Sequence, residues 1–337
     1  MINIFRDKNI LVTGGTGSIG CSIVRKVLQY EPRVVRVLSN DENGLFSLEQ
    51  ELPGYTNLRF LIGDVRDKER LLRAMEGIDY VFHAAALKHV PLCEYNPFEA
   101  VKTNVLGTQN LIEVAMQANL EKFITISTDK AVNPVNVMGA TKLLAERLTT
   151  STNHYKGERR TAFSSVRFGN VLHSRGSVVP LFIEQISKGG PITVTDPNMT
   201  RFVMSIAAAV DLVLKAVTMA KGGEIFVLKM PALRIGDLAE VMIEEFAPRY
   251  GFASENIGIN IVGRREGEKN NEELLTGDES VYTRETDDMF IIYPEVEQRN
   301  EEAAGKSYTS GDERLLSKGE IKEMLMASLP FLSQATP

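Results

Sequence analysis

The chain lacks tryptophan, has only two cysteines among 337 residues, and carries no excess of positive charge. Cys21 and Cys93 stand in no metal-ligand spacing, so the sequence argues against a disulfide framework, predicts no metal site and fits a reducing compartment. A formal net charge of -6 at pH 7 gives no electrostatic reason to expect nucleic acid or an anionic membrane as partner. An anionic ligand therefore requires a local cluster of arginine and lysine.

Long apolar segments are missing as well. The N-terminus shows no signal-peptide core, and no apolar run reaches membrane-spanning length. The sequence therefore predicts a cytoplasmic protein without membrane insertion. The sequon at residues 198–200 is a chance match in that setting.

What the first half does contain is an alternation of short apolar runs with helical stretches. The apolar runs that we interpret as strands are 9–13, 34–38, 58–62, 80–83, 123–127 and 161–168, and the clearest helical patterns are 18–30, 97–118 and 137–150. Strands spaced by helices predict βαβ units and a parallel sheet covered on both faces. The expected fold class is α/β, with a Rossmann-type doubly wound parallel sheet and a smaller mixed α/β C-terminal domain.

A glycine-rich segment follows the first strand and opens the first helix. It reads TGGTGSIG over residues 13–20. Such glycines allow a tight turn and a close approach of the backbone to a pyrophosphate, which the helix N-terminus then binds. A merely structural glycine turn is the alternative, but the position between strand and helix favours a dinucleotide site. The residues expected to contact the cofactor here are Gly14, Thr16, Gly17, Ser18 and Ile19.

The alternation weakens after the sixth strand. We predict a dinucleotide-binding domain over residues 1–170, to which a strand near 224–228 returns. The remainder, residues 171–337, is predicted to form a substrate-binding domain. No repeat or low-complexity linker separates the two.

The end of the second strand bears on the choice between NAD and NADP. An acidic residue there would bind the ribose 2′-OH of NAD, but the positions read Ser39-Asn40, with Asp41 two residues late. Ser39 can donate to a 2′-phosphate, although no arginine follows to neutralise it. The sequence favours NADP slightly over NAD. Further cofactor contacts are expected from Asp64 and Val65 after the third strand and from Ala84, Ala85 and Ala86 after the fourth.

A series of motifs carries a resemblance to a known family. They read HAAALKHVP (83–91), EYNP (94–97), KTNVLGT (102–108), STDKAV (127–132), RFGNV (167–171), SRGSVVP (174–180), TDPNMTRF (195–202) and GEK (267–269). In this order, over roughly residues 5–275, they resemble the extended short-chain dehydrogenase/reductase superfamily. Within it the chain is similar to the nucleotide-sugar 4,6-dehydratases of bacterial polysaccharide synthesis, in particular those that act on UDP-N-acetylglucosamine.

The resemblance implies a reaction in three stages with a tightly bound, recycled cofactor. The sugar C4 hydroxyl is oxidised by the nicotinamide, water leaves across C5 and C6, and the hydride returns to C6 to give a 4-keto-6-deoxy sugar. By the same resemblance, Asp129 protonates the departing C6 hydroxyl and Lys130 removes the C5 proton. Thr128 would hydrogen-bond the C4 oxygen, and Lys142 would hold the nicotinamide ribose.

Met138 departs from the family pattern, because a catalytic tyrosine is expected at this position, four residues before Lys142. Residues four apart lie on one face of a helix. Since methionine cannot accept a proton, we hypothesise that Asp129 also serves as base toward the C4 hydroxyl, directly or through water. A core methionine that fills an apolar gap is compatible with this role. Lys130 is a useful base only if burial lowers its pKa, whereas its charge favours an ionised Asp129.

Substrate contacts are predicted from residues scattered along the chain. The planar fork of arginine suits phosphate oxygens, so Arg201 and Arg265 are the candidates for the diphosphate. Glu268 is expected to orient the nucleotide ribose, unless residues 264–269 form a solvated charged loop. The other expected contacts are Asn170, Ser177, Val178 and His89 with the substrate, Asn104 with the cofactor, and Lys88 with both. His83 and His89 are interpreted as packing or cofactor-wall residues rather than bases.

Two other functions stay open at the level of sequence. A nucleotide-sugar 4-epimerase or simple dehydrogenase can use the same fold, and loss of the tyrosine can also mark a non-catalytic dinucleotide-binding sensor. The Asp129-Lys130 pair favours elimination over both. The resemblance further implies a homo-oligomer, dimer or hexamer. The sequence does not distinguish UDP from GDP sugars or retention from inversion at C5.

Overall fold

Sixteen strands and twelve α-helices build the described part of the chain, residues 3–294 and 304–328 of a computed structural model. The strands are β1 (Asn9–Thr13), β2 (Val34–Ser39), β3 (Leu58–Ile62), β4 (Tyr80–His83), β5 (Lys122–Ile126), β6 (Ala162–Arg167), β7 (Asn170–Val171), β8 (Ile192–Val194), β9 (Thr200–Met204), β10 (Ile225–Leu228), β11 (Ala232–Arg234), β12 (Ile259–Ile261), β13 (Glu273–Leu275), β14 (Thr283–Glu285), β15 (Met289–Ile292) and β16 (Tyr308–Thr309). The helices are α1 (Ser18–Leu28), α2 (Glu42–Glu51), α3 (Lys68–Met75), α4 (Val90–Tyr95), α5 (Pro97–Ala100), α6 (Gly107–Ala118), α7 (Val137–Tyr155), α8 (Val178–Ser187), α9 (Ile206–Met219), α10 (Ile235–Phe246), α11 (Gly277–Ser280) and α12 (Lys318–Ser328).

Nine strands form one sheet in the order β14-β15-β10-β6-β5-β4-β1-β2-β3. All neighbours from β3 to β10 pair in parallel, while β15 and β14 add an antiparallel edge. The strand order reverses between β1 and β4, which is where open α/β sheets bind their ligands. The predicted Rossmann-type parallel sheet is therefore confirmed.

The strands read as continuous apolar runs because both faces of the sheet are covered. Successive side chains of a strand point to opposite faces. In β1, Ile10 and Val12 belong to the hydrophobic core that α1 and α9 share, whereas Leu11 lies in the core formed with α3 and α6. Burial on both sides explains the absence of polar alternation.

The predicted helix over residues 97–118 is broken in the structure. α5 and α6 are separated by a π-helical segment, Val101–Leu106. Apolar periodicity predicted the helical character of this region correctly, but it carries no signal for a local change in hydrogen-bonding register. π-Helical turns of this kind often lie at functional sites.

A second hydrophobic core lies in the later part of the chain. It packs α8, α10 and α12 together through residues such as Phe182, Phe246 and Leu325. Beside it lie a three-stranded sheet, β11-β9-β7, and the pair β12-β8. The domain boundary at residue 170 stays a prediction. The chain returns to the large sheet more often than expected, because β14 and β15 join it as well as β10.

A fully buried arginine joins the large sheet to α7 and α11. Arg167 of β6 pairs with Glu146 of α7 at 2.6 Å and with Glu279 of α11 at 2.9 Å, and it donates to the carbonyl of Leu274. Burial would lower the pKa of Arg167, but the two carboxylates outweigh it and raise that pKa. The guanidinium therefore stays charged, and both of its partners are needed to offset the cost of burying it.

No α-helix among residues 3–294 and 304–328 has both the length and the apolar character that a bilayer crossing requires.

Candidate active site

A cavity of about 550 Å³ opens at the carboxyl ends of the central parallel strands. Its wall contains most of the residues that the sequence predicted for a site. These are Gly14, Thr16, Gly17, Ser18, Ile19, Ala84, Ala86, Lys88, His89, Thr128, Lys130, Met138, Lys142, Asn170, Ser177, Val178 and Arg201. The topological switch point thus brings together residues from the whole first two-thirds of the chain.

The glycine loop is shaped to hold an anion close to the backbone. A Cβ at Gly14 (φ +63°) would lie 2.6 Å from the Ala85 nitrogen, and one at Gly20 would overlap the Gly14 carbonyl. The first turn of α1 contains no acidic residue, and its N–H groups have no partner within the helix. A pyrophosphate is favoured there by both the N–H groups and the helix dipole. These residues fit a dinucleotide.

An arginine lies near the end of β2, although none directly follows Ser39 in the sequence. Arg175 reaches it from the loop before α8, and its Nη1 lies 3.3 Å from Asp41 Oδ2. The backbone N–H of Arg175 donates to Ser18 Oγ at 2.8 Å, and its carbonyl accepts from Lys88 Nζ at 2.6 Å. Sequence reasoning missed Arg175 because it searched only the residues that follow β2.

The predicted adenosine contacts behind this loop have protein partners of their own. Ser39 Oγ lies 2.8 Å from Thr16 Oγ1, which lines the cavity. Asp64 pairs with Arg66 at 2.7 Å, and this hydrogen bond, together with one from Asn40, lowers the pKa of the Asp64 carboxyl. The structure brings none of Ser39, Asn40, Asp64, Val65 and Ala85 to the cavity wall itself. Their contacts with a cofactor stay predictions.

Asn104 was predicted to contact the cofactor; its side chain is hydrogen-bonded to other residues of the protein, and the cofactor contact stays a prediction. Its side chain is 1% exposed, accepts from the Leu87 N–H, and donates to the Leu87 carbonyl and to Thr141 Oγ1. Each of these hydrogen bonds joins the Asn104 side chain to another residue of the protein. Asn104 therefore anchors the π-helical segment to the β4 loop and to α7, next to Lys142.

Met138 and Lys142 line the cavity from one face of α7. Met138 is 3% exposed and packs in a small apolar cluster with Cys93 and Ala100. It therefore fills the gap that we expected and also forms part of the wall. Lys142 Nζ donates to the Ile126 carbonyl at 2.5 Å, and burial lowers the pKa of Lys142 to about 8.

Asp129 lies behind the wall rather than on it. Its side chain is fully buried, and Oδ1 accepts hydrogen bonds from Thr128 Oγ1 at 2.8 Å and from Lys130 Nζ at 3.0 Å. Thr128 and Lys130 are the two residues that reach the cavity. A direct contact between Asp129 and a sugar hydroxyl is therefore absent from this arrangement, and access runs through the Thr128 hydroxyl.

Lys130 does not meet the condition set for it as a base. Burial would lower its pKa, but Asp129 and Glu272 outweigh burial and raise it, so the amine is held as an ammonium. Nζ also lies 3.2 Å from Asn170 Oδ1. The condition that burial lowers the pKa is not met, because two buried carboxylates lie beside this lysine.

Glu272, like Arg175, is a residue that sequence reasoning missed. Its Oε1 lies 3.4 Å from Lys130 Nζ and 3.8 Å from Arg201 Nε, and the residue is 3% exposed. It follows a charged stretch that reads as a surface loop. The available signal was its position just before the apolar pair Leu274 and Leu275, which β13 buries.

The predicted diphosphate arginines are used differently. Arg201 lines the cavity, but its guanidinium donates to the carbonyls of Thr200, Lys269 and Asn270. Arg265 is exposed, and its backbone N–H donates to Glu268 Oε2. Arg265 and Glu268 both lie off the cavity wall. The diphosphate contact of Arg265 and the solvated-loop alternative for residues 264–269 both stay predictions.

Two histidines fit the reading as non-bases. His83 is buried between Thr13 and Thr108, and burial lowers its pKa to about 3. Since Thr108 Oγ1 donates to the Asn104 carbonyl, it accepts from His83 Nε2, and Nδ1 accepts from Thr13. His89 packs under Gly176, where a Cβ would lie 2.5 Å from its Cε1.

A doubly wound parallel sheet with a glycine loop, a Thr-Asp-Lys segment after β5 and a lysine on the following helix defines a short-chain dehydrogenase/reductase of the extended type. The comparison with known families agrees. The chain belongs to the polysaccharide biosynthesis protein family, whose profile matches residues 10–294.

Individual relatives cover nearly the whole chain. An uncharacterized membrane protein of Methanocaldococcus jannaschii is 64% identical, with 96% of each chain aligned. A UDP-N-acetylglucosamine 4,6-dehydratase (inverting) of Campylobacter jejuni is 43% identical over 87% of this chain and 85% of its own. A UDP-glucose 4-epimerase of Rickettsia typhi is 40% identical over 96% of both.

Solved structures show the same fold. Pen from Bacillus thuringiensis superimposes with a TM-score of 0.92 at 49% identity, covering 96% of this chain and 98% of its own. DesIV, a dTDP-glucose 4,6-dehydratase from Streptomyces venezuelae, has a TM-score of 0.70 at 23% identity, covering 77% of this chain and 86% of its own. The second likeness concerns the fold alone.

Proposed function

We propose that the protein is a nucleotide-sugar 4,6-dehydratase that converts UDP-N-acetylglucosamine into a UDP-4-keto-6-deoxy sugar for glycan synthesis. The observation that carries this proposal is the hydrogen-bonded set of Thr128, Asp129 and Lys130 at the cavity, opposite an apolar Met138. An acid and an amine in contact suit an elimination. The Campylobacter relative supports the substrate and, by its name, inversion at C5.

The cofactor that the site fits is a nicotinamide dinucleotide, and we favour NADP over NAD. Thr16 and Ser39 present two hydroxyls at the end of β2, and Arg175 lies beside Asp41 at the same place. A guanidinium there can compensate a 2′-phosphate. When bound, the nicotinamide takes the hydride from C4 and gives it back to C6, so it is recycled.

The Thr128 hydroxyl provides the route for the first proton. It lines the cavity and already donates to Asp129 Oδ1 at 2.8 Å. When the sugar C4 hydroxyl donates to Thr128 Oγ1, its proton can pass along this chain to Asp129 as C4 is oxidised. Met138 cannot accept a proton, so this relay replaces the missing phenol.

Asp129 and Lys130 then carry the elimination. The proton held by Asp129 passes back through the Thr128 hydroxyl to the departing C6 hydroxyl, which leaves as water. The Lys130 amine takes the C5 proton, which the 4-ketone acidifies. The two residues differ in access, because Lys130 is 25% exposed toward the cavity while Asp129 is fully buried.

The start of α8 is our candidate for the substrate diphosphate. Ser177 and Val178 line the cavity at the helix N-terminus, where backbone N–H groups lack helical partners. Ser177 Oγ is buried and has no hydrogen-bond partner among the described residues. Lys88 adds positive charge on the same wall.

The protein is also proposed to form a homo-oligomer, dimer or hexamer. The support is an exposed apolar patch on α4, α5 and the π-helical segment, made of Leu92, Tyr95, Phe98, Val101 and Leu106. Clustered exposed apolar side chains of this size mark protein interfaces in soluble chains.

One incubation tests the reaction. UDP-N-acetylglucosamine is mixed with the protein in D₂O, and the product is followed by NMR. A 6-methyl signal with deuterium at C5 is the expected result, and the ring couplings report the C5 configuration. UDP-N-acetylgalactosamine as sole product would establish the 4-epimerase alternative that the Rickettsia relative suggests. No product from UDP or GDP sugars would refute the proposal.

A variant pair sharpens this test. Asp129→Asn cannot take the C4 proton, so we expect turnover to fall about 10²–10⁴-fold. Asp287→Asn, in the exposed turn between β14 and β15, should leave turnover unchanged. Full turnover by Asp129→Asn would remove Asp129 from the mechanism.

A further inference from the structure

Glu272 is a buried carboxylate to which the proposed reaction assigns no task. Its Oε1 contacts Lys130 at 3.4 Å, and its Oε2 is buried with no hydrogen-bond partner among the described residues. Burying an ionised carboxylate with an unused oxygen is costly unless a charge partner compensates it. Lys130 and Arg201 compensate the charge at Oε1, and the contact with Lys130 places Glu272 directly beside the amine that the proposed reaction uses.

The backbone holds Glu272 in place. Its N–H donates to Ser310 Oγ at 2.9 Å, and its carbonyl accepts from the Ser310 N–H at 2.8 Å. The backbone of Glu272 is thus held by a segment that lies far from β5 in the sequence. Its neighbour Glu273 turns the other way and accepts from Asn133 Nδ2 at 2.7 Å.

Four charged groups meet at the cavity wall, with Lys130 and Arg201 on it and the two carboxylates behind it. Asp129 and Lys130 come from the end of β5, Arg201 from β9, and Glu272 from the residue before β13. The two carboxylates and two cations balance. In this state Lys130 is an ammonium, because the carboxylates outweigh the effect of burial and raise its pKa.

An ammonium cannot accept the C5 proton, so Nζ must first lose one of its own. Asp129 becomes neutral when it takes the proton of the C4 hydroxyl. That change removes one of the two negative charges that stabilise the Lys130 ammonium. The other carboxylate beside Nζ is Glu272, whose Oε1 lies 3.4 Å away.

We propose that Glu272 is a positioning residue that accepts a proton from Lys130 after C4 oxidation and so makes the amine the base for C5. This inference rests on the proposed dehydratase reaction. One Nζ–H bond breaks and one Oε1–H bond forms, which leaves a neutral amine beside a neutral carboxylic acid. The amine lone pair then binds the C5 proton, and the C5–H electron pair stays on the sugar as the enolate of the 4-ketone.

The enolate expels the C6 hydroxyl, which leaves as water with the proton from Asp129. Elimination leaves a neutral 4-keto-5,6-ene, so C5 can be reprotonated only once a hydride supplied by a bound nicotinamide has added to C6 and made C5 an enolate carbon again. If Lys130 then reprotonates C5, Glu272 returns its proton to Nζ. If water reprotonates C5 from the opposite face, Glu272 releases its proton to water. Either route restores the starting ionisation states.

The test compares Glu272→Gln with Glu273→Gln in the cofactor-loaded protein. Glutamine keeps the size of the side chain but cannot take the proton. We expect Glu272→Gln to lower formation of the 4-keto-6-deoxy product and deuterium incorporation at C5 about 10²–10³-fold. Oxidation at C4 should persist, so reduced nicotinamide accumulates on addition of the sugar. Glu273→Gln should match the unmodified protein, and Glu272→Asp should recover part of the activity.

Two results overturn the inference in an active protein. One is unchanged turnover in Glu272→Gln. The other is an equal loss of C4 oxidation and C5 exchange with unchanged cofactor content, since a merely structural role affects both steps alike. If the unmodified protein forms no 4-keto-6-deoxy sugar, the dehydratase proposal itself fails and the role of Glu272 falls with it.

Discussion

At the scale of single residues, two lysines show how neighbouring charges determine the pKa of a buried amine. Both Lys130 and Lys142 lie at the cavity wall, and burial would lower both pKa values. For Lys142, the effect of burial is opposed only by the charge of Glu146, so the pKa of Lys142 falls to about 8. Lys130 has Asp129 and Glu272 beside it, so its pKa rises. Identical side chains in one cavity therefore serve different purposes.

We expect cofactor affinity to depend on the charge of Lys142. Because its pKa is lowered to about 8, the ammonium is present below pH 8 and is lost as the pH rises through that value. Loss of one charged hydrogen bond is worth about 1.5–3 kcal/mol, so the dissociation constant should rise tenfold or more. Titration of nicotinamide fluorescence on either side of pH 8 measures it.

Lys142→Arg is the matched control for that prediction. Its guanidinium stays charged well above pH 8, so its affinity should change little over the same range. An equal pH dependence in Lys142→Arg and the unmodified protein would assign the effect to another group.

Asn104 and Met138 show which contacts of a residue can be predicted from local sequence and which cannot. Met138 filling an apolar gap follows from its chemistry alone, and the structure places it among Cys93 and Ala100. Asn104 was expected to contact the cofactor because it lies in a family motif. Its partners Leu87 and Thr141 come from other elements, so their contact could not be predicted from local sequence.

At the scale of elements, the glycine loop joins β1 to α1 with little free space. Gly20 illustrates this, since any side chain there would meet the Gly14 carbonyl. The loop conformation that approaches a pyrophosphate therefore depends on the missing Cβ. Periodicity and glycine spacing are local, which is why β1, α1 and this loop were predictable from the sequence.

Gly20→Ala should disrupt the loop and lose the cofactor. The added methyl group must displace the Gly14 carbonyl, which is backbone and cannot yield cheaply. We expect purified Gly20→Ala to retain less than about a tenth of the bound nicotinamide, measured by its absorbance per protein chain after release. A Cβ at Gly54 meets nothing within 4 Å, so Gly54→Ala should keep full occupancy. Equal occupancy in both variants would contradict a pyrophosphate site at this loop.

At the scale of the whole molecule, a single chain leaves a group of large apolar side chains exposed to water. Tyr95 is 87% exposed, Phe98 79% and Leu92 63%. Leu92 and Tyr95 belong to α4, and Phe98 belongs to α5. Such a patch is costly in contact with water, so self-association is the expected outcome.

A charge in this patch should separate the copies. We expect Tyr95→Glu to lower the solution mass from that of an oligomer to that of one chain, as measured by light scattering after size-exclusion chromatography. A buried glutamate costs several kcal/mol, so the dissociation constant should rise at least 10²-fold. Phe46→Glu is the control, since Phe46 is 64% exposed but lies on α2. A monomeric unmodified protein would contradict this prediction directly.

Local sequence was sufficient for the parallel sheet, the glycine loop and the Thr128-Asp129-Lys130 segment, because strand periodicity, turn chemistry and the position after a strand are properties of neighbouring residues. Long-range folding set what that segment can do. It buried Asp129 behind Thr128, carried Arg175 to the end of β2 and placed Glu272 against Lys130. The ionisation state of the Lys130 amine depends on charges a few ångströms away, and one of these, Glu272, comes from a segment far away in the chain.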